Sequence, residues 1–121
     1  MAVAAYRLTD RGALARDYSL KDQMRRAAVS VCSNIAEGDE HGTNRDCVRF
    51  LYIAKGSLAE LRTLLDIARE VGYLEQAEHA RHEEQAAELG RMLGSLIKVR
   101  SQTTRPRRAT TLDPSPSPDN P

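Results

Sequence analysis

Apolar residues recur every three or four positions along most of this chain, the period of a helix with one buried face. The clearest run is Cys47, Phe50, Leu51, Ala54, Leu58, Leu61, Leu65 and Ala68, which holds one face for about six turns. Thr43, with Asp46 three residues on, supplies a start signal for it, and Gly72 a stop. A second run is Leu20, Met24, Ala27, Val31 and Ile35. It lies between a cap-like Ser19, with Asp22 three residues on, and Gly38, which suits the left-handed position after a helix. A third, Ala80, Ala86, Leu89, Leu93, Leu96 and Ile97, concentrates its apolar residues in its second half. The N-terminal stretch is weaker: Val3 and Tyr6 lead to Gly12, a helix too short to stand without tertiary contacts. The spacing predicts helices over about 2–11, 19–37, 44–71 and 75–100. Connections as short as Gly38 to Gly42, GDEHG, make neighbours antiparallel, so the expected fold is all-α, an up-and-down four-helix bundle.

Composition changes this picture at one end. All five prolines fall between Pro106 and Pro121, and Leu112 is the only large apolar residue after Arg100. Residues 101–121 are therefore expected to form a disordered tail, leaving roughly 100 residues, enough for one core but not for a deep enclosed pocket. The formal charge is +1, and up to Arg100 fifteen basic residues balance fifteen acidic ones. That balance argues against a strongly basic nucleic-acid module and leaves only local patches. Cys32 and Cys47 lack CxxC spacing and suggest a reducing compartment. The opening MAVAA runs at once into Tyr6 and Arg7, and no apolar run is long enough to span a membrane, so a cytoplasmic protein is expected.

Polar and small residues inside the predicted helices raise the functional question. RRAAVSVCSNIAEG, residues 25–38, places Ser30, Ser33 and Asn34 among positions that read as buried, although such residues prefer caps and turns. Gly56, Gly90 and Gly94 lie inside predicted helices, where each costs about 1 kcal/mol relative to alanine. Close approach of another backbone offsets that cost, so these six positions are read as helix-packing or subunit-interface residues. Ser30 is expected to bond back to the carbonyl four residues earlier, and Asn34 to bridge to a neighbouring helix. The second helix is apolar on more than one side, with Val29 and Cys32 opposite Met24, Val31 and Ile35, which predicts burial by other copies of the chain.

Four arginines are candidate nucleic-acid contacts. Arg25 and Arg26 open the second helix, and Arg45 and Arg49 the third, where the helix dipole favours acids. The bland alternative is pairing with Asp22, Glu37, Asp46 or Glu60. EQAEHARHEE, Glu75 to Glu84, spaces His79 and His82 four residues from carboxylates, but a di-metal bundle needs a matching motif on a second helix and none exists. It is read as a solvated face with helical ion pairs. Ser30, Cys32, Ser33 and Cys47 have no histidine in a defined relation to them, so packing is preferred to catalysis. GDEHG is acidic where a phosphate cradle should not be. No cofactor or metal is expected. The tail's TTRPRRAT adds a short basic peptide, and SPSP a candidate modification motif.

The run RRAAVSVCSNIAEG, followed by RFLYIAKGSLAELRTLLDIAREVGYL (Arg49 to Leu74) and GRMLGSLIK (Gly90 to Lys98), closely resembles the small four-helix-bundle proteins encoded in intervening sequences of bacterial 23S ribosomal RNA genes. That family includes the accessory protein of diversity-generating retroelements. The resemblance implies a homopentamer with no enzymatic activity, and partners that include RNA or DNA and a reverse transcriptase. Cys32 stands where the family commonly has proline, so the helix here keeps its backbone hydrogen bond. The expected function is a non-enzymatic oligomeric bundle, either a weak nucleic-acid-binding accessory or a protein–protein scaffold ring.

Overall fold

The computed structural model describes residues 1–40 and 43–104, and every regular element among them is a helix. Two are short, α1 (Ala2–Leu8) and α2 (Gly12–Arg16); three are long, α3 (Tyr18–Glu40), α4 (Asn44–Glu70) and α5 (Gln76–Thr104). The single first helix expected over 2–11 is thus two pieces. Thr9 ends the first by turning its buried hydroxyl back onto the Ala5 carbonyl at 2.7 Å, a local bond that competes with helix continuation.

The start and stop signals of α4 act as expected. Thr43 Oγ1 accepts the Asp46 amide at 3.2 Å. Gly72, at φ +86, follows the last turn, and the amides of Tyr73 and Gly72 return to the carbonyls of Ala68 and Arg69 at 2.8 and 2.9 Å. That pair of bonds is a Schellman motif, and it satisfies carbonyls the helix leaves open.

The signals around α3 act differently. Its cap is Asp17 rather than Ser19: Asp17 Oδ1 accepts the Leu20 amide at 3.1 Å, while Ser19 sits within the helix and accepts from Gln23. The other carboxylate oxygen of Asp17 accepts the Tyr73 hydroxyl at 2.9 Å, tying the start of α3 to the α4–α5 connection and pushing the tyrosine pKa up. At its far end α3 runs past Gly38 to Glu40. Gly38 is buried and helical, and a Cβ there would lie 3.2 Å from the Cys47 carbonyl and 3.4 Å from Phe50 Cβ. The glycine serves close approach of α4, not chain reversal. His41 and Gly42 of the expected turn lie outside the described residues. So does the expected tail beyond Thr104, whose first four residues, Ser101–Thr104, continue α5.

Register shows that consecutive long helices run in opposite directions. Gly38 lies against Cys47 and Ser30 bonds Ser57 across α3 and α4. Across α4 and α5, Arg100 donates to Asn44 at 2.8 Å, Glu83 receives Arg62, and Asp66 pairs with His79. α4 belongs to both halves of the core. Leu61, Leu64, Leu65 and Ala68 pack with Ala5, Leu8, Leu14, Met24 and Leu74 at one end. Cys47, Leu51, Ala54 and Leu58 pack with Val31, Ala86, Leu93 and Ile97 at the other. Burial of each such leucine contributes about 2 kcal/mol.

Two glycine substitutions separate backbone strain from crowding. A Cβ at Gly72 meets no heavy atom within 4 Å, so Gly72→Ala is expected to destabilise the fold through its positive φ alone, by about 1 kcal/mol. Gly56 is helical with equally open space, and Gly56→Ala is expected to raise the stability of the protomer by up to about 1 kcal/mol. Urea unfolding of both variants against the parent measures the two signs.

Candidate functional site

The four candidate arginines do not form one surface. Arg25 is on α3 near its start, whereas Arg45 and Arg49 open α4, which packs beside the end of α3. At 1.5 Å per residue the two pairs are roughly 20 Å apart along the bundle. Arg25 and Arg26 line a shallow depression with Tyr18, Lys21 and Asp22, and Arg45 and Arg49 line another with Thr43 and Asp46.

Arg25 is a structural clasp. Its Nε–H donates to Thr9 Oγ1 at 2.8 Å, an Nη donates to the Tyr6 carbonyl at 3.3 Å, and the guanidinium stacks 4.2 Å from the Tyr6 ring centre. With Asp10 3.9 Å away, one side chain gathers the end of α1 onto α3, and it is only 23% exposed. Arg26 is 77% exposed and pairs with Asp22 one turn earlier. Arg49 stacks on Phe50 and lies 4.0 Å from Asp46. Arg45 is exposed and makes no hydrogen bond or ion pair with a described residue. The pairing expected from spacing therefore holds for Arg26 and Arg49, and Arg25 is spent on the fold.

The small and polar residues also divide. Ser30 does not bond back along α3; it shares a 2.7 Å hydrogen bond with Ser57 of α4. Asn34 does not bridge to another helix: its amide donates to the Ser30 carbonyl at 2.8 Å and to Ser30 Oγ at 3.1 Å. Ser33 is exposed and reaches the Ser30 carbonyl only at 3.4 Å. The glycines expected to admit another backbone do not do so within the chain. Nothing lies within 4 Å of a Cβ at Gly56 or Gly94, and at Gly90 only Leu58 Cδ2 does, at 3.5 Å. Gly90 and Gly94 instead line an open groove of about 470 Å³ between α4 and α5, with Lys55, Ala59, Arg62 and Arg91. Further apolar residues stand exposed on α4, namely Tyr52, Ile53, Ile67, and Val71 just after it.

The histidine-rich stretch around the start of α5 is solvated on one side, at Glu75, Ala80, Arg81 and Glu84, but not at His79. His79 is 5% exposed, in line with Ala86 and Leu93 at seven-residue steps along the buried seam of α5. That seven-residue step was the available signal, and the surrounding charges masked it. Arg69 can only donate, so at 3.5 Å it meets His79 Nδ1 as acceptor, and Nε2–H donates to Asp66 at 2.7 Å. Glu78 is taken by Arg11 and Glu83 by Arg62, which raises the arginine pKa through that hydrogen bond. Two of the carboxylates that spacing places beside the histidines, Glu78 and Glu83, are thus turned to arginines on other elements. Cys47 is buried in the core and Cys32 is exposed, both as free thiols.

His82 lies half-buried beside an apolar cavity of about 30 Å³, where α1 meets α3, α4 and α5 through Ala5, Met24, Leu61 and Ala86. Burial there, helped by the nearby Arg81 charge, lowers its pKa below the ordinary 6.5 against an opposing pull from Glu78. The unfolded chain therefore binds the proton more readily, and stability falls as pH drops through 6.5. Melting temperature is expected to decline between about pH 7.5 and 5.5. His82→Gln is expected to flatten that decline, read by thermal melts of both proteins across the range.

Among the described residues no helix is long and apolar enough to cross a membrane. The fold is similar to that of a crystal structure from Bacteroides thetaiotaomicron, described as a protein with unknown function from the S23 ribosomal protein family. The TM-score is 0.72 at 21% identity, over 80% of this chain and 88% of that one. No curated protein matches the chain. The family model for the 23S rRNA-intervening sequence protein matches residues 1–95. That match spans α1 to α4 and most of α5, so the chain belongs to the 23S rRNA-intervening sequence protein family.

Proposed function

We propose that this protein is a non-catalytic, self-associating helical bundle that acts as an assembly scaffold. In this reading α1 and α2 together supply the fourth rod of an up-and-down four-helix bundle. The observation that carries the proposal is the surface of α4 and α5: helical glycines with open space above them beside exposed apolar side chains. Gly56 and Gly94 each forgo about 1 kcal/mol of helix propensity and gain no contact inside the protomer. The Gly90 and Gly94 groove, rimmed by Lys55 and Arg91, is shaped to receive a second copy closely. A heterologous contact of this kind closes into a ring, in keeping with the pentamer that the family resemblance suggests.

Sedimentation velocity at micromolar concentration tests the scaffold. The parent is expected to sediment as an oligomer, and Gly94→Leu, whose Cβ would meet no heavy atom of its own chain within 4 Å, to sediment as a folded monomer. A monomeric parent would remove the proposal.

Arg26, Arg45 and Arg49 favour a second reading, weak contact with RNA or DNA, because their guanidiniums remain at the surface. Replacing Arg45 and Arg49 with alanine is then expected to abolish a low-salt mobility shift that Arg25→Ala leaves in place. Phosphate contacts also predict steep salt dependence. Absence of any shift at low salt eliminates this reading.

A further inference from the structure

The side of α4 turned away from the core carries a pattern of its own. From position 45 to position 70, steps of four and three residues alternate strictly, and every position they reach is exposed. That is the spacing of a seam that meets another helix. Its chemistry is graded along its length. Arg45 and Arg49 stand at the start, Gly56 and Ala59 in the middle, and Asp66 and Glu70 at the end. A Cβ at Gly56 would meet nothing within 4 Å, so the backbone lies bare near the midpoint. Tyr52 shares the seam, and Ile53 and Ile67 flank it on one side, all three exposed. The acidic end keeps capacity for a further partner. Asp66 and Glu70 engage His79 and Arg69 through one oxygen each, and their side chains remain 55% and 72% exposed.

We infer that this seam pairs α4 with α4 of a second copy, antiparallel and about a two-fold axis. The antiparallel register that lays Gly56 against Ala59 also lays Tyr52 against Thr63, Arg49 against Asp66 and Arg45 against Glu70. Two-fold symmetry makes each of these contacts occur twice. Opposite charges thus meet at both ends, and small residues meet in the centre, where the two backbones approach closely. A parallel pair would instead set Arg45 on Arg45 and Glu70 on Glu70, which like-charge repulsion opposes. The gradient therefore selects the occupant. The face is complementary to its own reverse, whereas a uniformly charged polymer would be repelled by one end of it. This contact goes beyond the α4–α5 groove assigned to self-association, which adjoins the seam at Ala59 and runs on to Gly90 and Gly94 of α5. Exposed ion pairs are individually weak, so α4 pairs form above the micromolar range in which the groove contact is measured.

Disulfide trapping in the full chain tests the pairing, in a Cys32→Ser background that leaves only the buried Cys47. Tyr52→Cys and Thr63→Cys are made in separate chains, which are mixed at submillimolar concentration under mild oxidation. In the inferred register the two new thiols face each other, whereas each lies about 16 Å along the axis from its equivalent in the other copy. The mixed disulfide is therefore expected to form at least about tenfold faster than either symmetric one. Arg45→Glu in both chains is expected to slow it at least about fivefold, and Arg45→Glu with Glu70→Arg to restore it, a rescue that a folding defect would not show. Gly94→Leu, which acts on the groove, is expected to leave the mixed disulfide unchanged. A parent that is monomeric at micromolar concentration yet gives the mixed disulfide upholds the α4 pairing and removes only the groove contact. A faster symmetric disulfide at position 52, equal rates for all three disulfides, no rescue by the charge exchange, or loss of the cross-link in Gly94→Leu each overturns the inference.

Discussion

The long apolar face of α4 is the constraint on which the rest of the molecule depends. Its residues from Cys47 to Ala68 enter both halves of the core, and each other helix is placed by the part of that face it covers. Because the face stays straight over so many turns, α3 and α5 lie along it, short connections turn each against α4, and only register remains to be set. Register is set by crowding at Gly38, by the Ser30–Ser57 bond, and by a line of polar clasps to α5 from Asn44 to Asp66. These polar contacts are individually small beside the leucine burial, but they act at fixed points along rods that would otherwise slide.

Several charged side chains of this protein hold its helices together. Arg25 clasps α1, Arg11 reaches α5, Arg62 donates to Glu83, and Arg69 with Asp66 brackets a buried histidine. Arginines that tie one element to another in this way are withdrawn from any polyanion, which is why assembly is the preferred functional reading. The surfaces left open are apolar or glycine-lined instead, and they lie on α4 and α5, away from the arginine clasp at the α1–α3 junction.

What the chain specifies locally could be read without coordinates. The seams of α3, α4 and α5, the Thr43 cap and the Gly72 stop follow from a 3.6-residue period and from backbone groups that need partners. Family membership was equally legible, because long ordered motifs such as RFLYIAKGSLAELRTLLDIAREVGYL survive as sequence. Those features depend on neighbours within a few residues, so the order of residues is enough to set them.

Other features depended on neighbours distant in sequence. Gly38 reads as a stop, yet the backbone of Cys47 needs its missing side chain, so the helix runs on. His79 reads as solvated among charges, yet Asp66 and Arg69 of α4 give its ring two partners and let it be buried. Arg25 reads as an anion contact, yet Thr9 and Tyr6 claim its guanidinium. Ser30 and Asn34 exchanged their expected roles because Ser57 of α4 lies opposite one and not the other. Sequence alone therefore determined the three long helices and most of the apolar face of each, while the split of the N-terminal helix escaped it. Only the tertiary structure decided the partner of every polar side chain and the position of the uncovered grooves, since both are set by which helix lies alongside and in what register.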